Sequence, residues 1–260
     1  MRVALTILAF AALPAAAQSL RYTPGEFTYT VTTVIKHTDA RGEQKQTYTV
    51  TMEQRMKLLL GARDAQSMRF RLALERYTVS ADLPMRLPDV SKFQGTVVEG
   101  VITPSGRMLH YTFRSPDSAS AEAAALAGNL SGFLVTIPAS AQPGAPVADT
   151  TSSRQTEGKN DLTERTITTT AVETDTVYAG QTARRIRRDT EVTVGGVSVQ
   201  QGQALQIVGE GGGTGFFYVT PAGAYLGAHT RTTVNTQFTL PDGSHVSSIE
   251  DATSTIVLVR

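Results

Sequence analysis

The sequence predicts a mainly β protein: a strongly curved antiparallel sheet, half-barrel-like, with one α-helix on its concave face. Three observations predict it. Apolar and polar residues alternate with a period of two through most of the chain. Threonine, valine and glycine are plentiful, which favours strands and tight turns. A single alanine-rich stretch carries a helical apolar stripe.

The first seventeen residues read as a signal peptide. Arg2 supplies a positive start, Val3 to Leu13 is apolar, Pro14 breaks the run, and Ala15-Ala16-Ala17 offers a small-residue cleavage site. Residues 18–260 then form one β-rich domain. Its first half is 18–138, its linker 139–149 and its second half 150–260.

In the first strand Phe27, Tyr29, Val31 and Thr33 share a face. Asp39-Ala40-Arg41-Gly42 turns the chain into a strand through Tyr48, Val50 and Met52. The clearest strand is Met68 to Val79. Met68, Phe70, Leu72 and Leu74 face a core, while Arg69, Arg71 and Glu75 face water. Pro84 and Pro88 mark a loop. Strands follow near Thr96 to Thr103 and Met108 to Phe113, joined by the turn Thr103-Pro104-Ser105-Gly106.

A helix is predicted over 117–135. Asp117 or Ser118 caps it, Leu126, Leu130, Phe133 and Leu134 stripe it, and Pro138 ends it. The Pro-, Ala- and Gly-rich linker comes next. Further strands are expected at Asp161 to Thr174, Val177 to Val194, Val197 to Val208, Phe216 to Thr220, Tyr225 to Leu240 and His245 to Val259. Gly195-Gly196 reads as a hairpin signal, and Pro241-Asp242-Gly243 as a turn. The total is about ten to twelve strands.

A faint repeat links the halves. Val101-Ile102-Thr103-Pro104-Ser105-Gly106 and Tyr218-Val219-Thr220-Pro221-Ala222-Gly223 lie 117 residues apart. Duplication of a meander explains this, as does independent reuse of a Thr-Pro-x-Gly turn.

Charge excludes some classes. The full chain has 24 Lys+Arg against 23 Asp+Glu, and losing Arg2 balances them. No global field steers nucleic acid. No second apolar stretch approaches the ~20 residues of a membrane helix. The sparse aromatics and the missing terminal aromatic argue against an outer-membrane barrel, so an integral membrane protein is not expected. Cysteine is absent, which excludes disulfides, thiol catalysis and a lipidated cysteine.

Catalytic signatures are missing. His37, His110, His229 and His245 lie far apart, with no metal-ligand spacing, so no metal or cofactor is expected. No G-x-S-x-G elbow occurs. A hydrolase would need a triad assembled by folding. The run Gly209 to Gly215 lacks the lysine of a phosphate loop and leads into a strand, so it reads as a hairpin or bulge. Arg184-Arg185-Ile186-Arg187-Arg188 is the sharpest charge feature. On a strand Arg185 and Arg187 point one way, Arg184 and Arg188 the other. The patch holds an anion or a partner, or it pairs with Glu173, Asp175, Asp189 or Glu191.

The order of leader, meander, Ala/Leu helix, Pro-Gly linker and second meander resembles secreted bacterial half-barrel proteins. These are the outer-membrane lipoprotein carriers and the mycobacterial lipid-binding lipoproteins. The hairpin Thr103 to Leu109 and the element Pro143-Gly144 also resemble uncharacterised secreted relatives. The missing cysteine departs from the mycobacterial members. What the resemblance implies is an exported, soluble, non-catalytic protein of the bacterial periplasm or exterior that shelters an apolar or amphiphilic ligand such as a lipid. Phe70, Leu72, Leu74, Phe216 and Tyr218 are the candidate lining, with Leu126, Leu130 and Phe133 as a lid. The alternative is a structural subunit that docks an envelope protein through edge strands and the Arg184 to Arg188 patch.

Overall fold

The computed structural model describes residues 20–83, 87–117, 120–138, 145–157, 160–200 and 203–259. The leader 1–17 lies outside the described residues. Eleven strands form one antiparallel sheet. They are β1 (Gly25–Arg41), β2 (Gln44–Arg63), β3 (Met68–Ala81), β4 (Val97–Ile102), β5 (Met108–Arg114), β6 (Val147–Glu157), β7 (Asn160–Tyr178), β8 (Gln181–Gln200), β9 (Gln203–Val219), β10 (Tyr225–Thr239) and β11 (His245–Val259). The sheet order is β5-β4-β3-β2-β1-β11-β10-β9-β8-β7-β6. The first and last strands thus lie side by side at the centre, and β5 and β6 are the sheet's two edges. The sheet does not close into a barrel.

Burial separates its two faces. The inner face carries Tyr29, Leu58, Leu72 and Phe217, all within the core. Beyond that core, inner-face Ile35, Met52, Val79, Val192 and Val234 are half-buried, while outer neighbours Lys36, Glu53, Thr193 and Asn235 are exposed. That asymmetry is the mark of curvature, because bending crowds the side chains on the concave side. Irregularities after Arg55 on β2 and after Val172 on β7 interrupt the register, and such bulges bend and twist a strand.

The helix α1 spans Ala121–Ser131, shorter than the 117–135 predicted. Ser120 is the cap: its Oγ accepts from the Ala123 N–H at 3.0 Å. Gly132 closes the helix, so Phe133 and Leu134 belong to an extended segment beyond it. Ala123, Ala127 and Leu130 recur at helical spacing and are buried against β4 and β5. The linker is also shorter than expected, because 147–149 already pair in β6.

Two glycine signals are corrected. Gly195-Gly196 does not turn the chain; both residues lie inside β8 and pair with β7 and β9. A Cβ at Gly196 would sit 2.0 Å from the Asp161 carbonyl oxygen, so close backbone approach explains this glycine. β8 runs on to Gln200, and the turn that leads into it is Ala179-Gly180, where both residues have positive φ, 49° and 75°. The run Gly209 to Gly215 is likewise regular β9, paired on both sides with β8 and β10.

The repeat proves architectural. Strands β1 to β5 recur as β6 to β10 in the same spatial order, with β11 inserted between the two sets, and the offset of 117 residues holds at the Thr-Pro-x-Gly turns. The two Thr-Pro-x-Gly turns close identically. The Thr103 N–H donates to Arg107 O, and the Gly106 N–H to Thr103 O, at 2.8 and 2.9 Å. The matching bonds Thr220 to Ala224 and Gly223 to Thr220 are both 2.8 Å. The N-terminal segment joins the turns: Tyr22 donates to Pro104 O and Thr23 to Gly223 O.

Candidate functional site

The inner face has two parts. The first is packed. Phe70, Leu72, Leu74, Leu130 and Phe133 come together in one core, with Leu72 and Leu74 at 0% exposure. Leu126 packs at its margin. Each such apolar side chain contributes about 2 kcal/mol by leaving water. Tyr29, Phe133 and Tyr225 pack with ring centroids 5.2 to 5.7 Å apart. Tyr29 Oη donates to Tyr225 O at 2.9 Å, and Tyr22 Oη to Val135 O at 2.8 Å. Burial pushes all three phenols far above their ordinary pKa. The lid reading of the helix therefore fails in its simple form, since helix and sheet meet in core.

Phe216 and Tyr218 are not in that cluster; they lie on the outer face. Arg185 stacks over Phe216 at 5.2 Å, and Tyr178 stacks on Tyr218 at 3.9 Å. Their neighbours Phe217 and Val219 point inward instead. The reason is parity. Four successive large apolar residues carry no polar marker of their own, and only Glu210 and Thr214, among glycines, mark the outer face ahead of them.

The second part of the inner face carries no helix among the described residues, although Leu205 and Ile207 of β9 are buried within it. Among the described residues, no element packs on β6 to β10 as α1 packs on β4 and β5. Here Val192, Val194, Val234 and Phe238 on the second half face Ile35 and Met52's side of the sheet, interspersed with threonines and the inward glycines 209, 211, 213 and 215. His37 stacks on Tyr48 near its far end, 3.9 Å from Glu250.

The arginine patch divides. Arg184 Nε lies 2.7 Å from Asp175, Arg185 pairs with Glu173, and Arg187 lies 3.0 Å from Asp189. These charges are neutralised in place. Arg188 turns inward instead, its guanidinium 4.9 Å from the Phe217 ring. The repeat shows what it replaces. Leu72 pairs with Leu58 and Val98; Arg188 pairs with Thr170 and Gly215 in the equivalent register. A cation thus occupies the place of a core leucine. Alternation within the Arg-Arg-Ile-Arg-Arg run separates Arg188 from Arg187, but only the pairing partners reveal its position over the core margin.

The histidines do not assemble a centre. His229 and His245 approach Thr255 and Thr239 at 3.2 Å, and His110 lines an outer-face depression. Among the described residues no His, Asp and Glu cluster of metal-ligating size occurs.

No family model matches the chain, and no curated protein matches it. Three solved structures show distant similarity. An outer membrane channel from Pseudomonas putida F1 covers 92% of this chain and 98% of its own, at 10% identity and a TM-score of 0.21. A DUF1329 family protein from Desulfovibrio piger covers 88% and 84%, at 11% identity and 0.20. OpdK of Pseudomonas aeruginosa covers 89% and 99%, at 8% identity and 0.20. These neighbours include no lipoprotein carrier, and at such scores none of their properties is carried to this chain.

Proposed function

We propose that the chain is an exported, non-catalytic binding protein that shelters an apolar or amphiphilic ligand in the bacterial envelope. The observation that supports this most is the half-covered inner face. α1 packs on β4 and β5 of the first half, and among the described residues the corresponding strands β9 and β10 of the second half have no helix against them. Half-buried Val192, Val194, Val234 and Phe238 line that concavity. A ligand laid there gains about 25 cal/mol for each Å² of apolar surface removed from water. The site lies beside the packed core, not within it.

The docking alternative draws less support, because three of the four patch arginines already hold carboxylates. The test is direct. The processed protein is titrated with the methyl ester of parinaric acid, a neutral fluorescent lipid. Saturable binding that Val234→Asp abolishes supports the reading. Failure to bind, or binding indifferent to Val234→Asp, overturns it. N-terminal sequencing of secreted protein should begin at Gln18.

A further inference from the structure

Where the packed and open parts of the inner face meet, a pocket of 440 Å³ opens between β6, β7, β8 and the segment after the helix. Arg188, Arg107, Thr136, Thr168, Thr170 and Asp149 contribute to its wall. Thr170 is buried, and Arg188 is half-buried. Arg188's charged neighbours across the strands are absent: Thr170 faces it on β7 and Gly215 on β9. Its electrostatic neighbours are the hydroxyls of Tyr22 and Tyr225, which burial keeps protonated. Among the described residues, neither Arg188 nor Arg107 belongs to any ion pair, in contrast to Arg184, Arg185 and Arg187. Arginine cannot shed its proton to escape such a place. A partly desolvated cation without a counter-charge is costly, and a bound anion offsets that cost.

Two arginines and Asp149 leave the pocket one net positive charge. On β8 the next inward residues after Arg188 are Thr190, Val192 and Val194, so the pocket runs into the open apolar concavity. We propose that the ligand is an amphiphile with a monoanionic head group, held by Arg188 and Arg107, whose apolar tail lies along the inner face of β8 to β10. The inference rests on the binding reading above and names its ligand class. Threonine hydroxyls at 136, 168 and 170 supply further donors to a carboxylate or phosphodiester oxygen. The arginine fork supplies the strong, charge-assisted bonds.

The experiment compares parinaric acid with its methyl ester, which share a tail and differ in charge. The processed wild type should bind the acid about tenfold more tightly than the ester. Arg188→Met should erase that preference, weakening the acid far more than the ester. Asp149→Asn should widen it by removing the opposing charge. Circular dichroism confirms folding of both variants, and Met keeps the apolar length of the side chain. Equal affinity of the wild type for acid and ester overturns the inference while leaving the binding reading intact. So does a preference that survives Arg188→Met. Displacement of the acid by acetate at equal concentration would mark a free-anion site without a tail and overturn it as well. Binding of neither probe defeats the binding reading itself.

Discussion

Leu72, Val234 and Val208 sample three environments on one sheet, and truncating each to alanine should produce a graded loss of stability. Leu72 is 0% exposed, between Leu58 and Val98. Leu72→Ala removes three buried carbons worth about 0.8 kcal/mol each. The cavity left behind adds about 24 cal/mol per Å³. The sum is about 3–5 kcal/mol, or a melting temperature lower by about 10 °C in a chain of this size. Val234 is half-buried on the open inner face, so Val234→Ala should cost about 1 kcal/mol or less. Val208 points outward and is 58% exposed, and its truncation should fall within about 0.5 kcal/mol of zero. Urea unfolding followed by circular dichroism measures all three. Equal costs at Val234 and Leu72 would show that the second half is packed like the first, and would remove the concavity on which ligand binding depends.

Further outcomes follow from the same geometry. Gly223→Ala places a Cβ 1.9 Å from the Arg21 carbonyl oxygen at φ +94°, so it should cost more than about 1 kcal/mol and free residues 20–23 to protease. The buried phenols of Tyr22, Tyr29 and Tyr225 have raised pKa values, mainly through desolvation. Their contribution to stability is therefore fully present below the ordinary value of 10 and is lost as pH rises beyond it. Phenolate absorbance should show these three ionising only with unfolding; a smooth titration of all eight tyrosines in the folded state would contradict their burial. Asp64 and Asp242 accept hydrogen bonds from Ser67 and Ser244, which hold their carboxyls below the usual 3.8. Their stabilisation persists above 3.8 and fades as pH falls through the lower folded values. NMR titration midpoints at or above 3.8 would refute it.

The fold was legible wherever side chains marked a face. In β3 the alternation of Met68, Phe70, Leu72 and Leu74 with Arg69 and Arg71 predicts both the strand and its buried side. Thr103 to Gly106 predicts its turn. Legibility failed where glycine replaced the pattern. Gly209 to Gly215 carries only Glu210 and Thr214 to mark a face, and its extended state comes from hydrogen bonding to β8 and β10. The same gap left the parity of Phe216 to Val219 open. The site was less legible than the fold. Core residues such as Leu74 and Phe133 share the composition of a ligand cavity, and only packing tells them apart. Arg188 looks like any member of its charged run until the register sets it opposite Thr170, where the first half of the repeat has Leu72 opposite Leu58.

Native mass spectrometry of protein purified from its secreting host, without detergent, addresses the open inner face most directly. A bound small amphiphile, lost on delipidation and retained poorly by Arg188→Met, is the predicted result. A spectrum of the bare processed chain, together with no uptake of either parinaric probe, would contradict it.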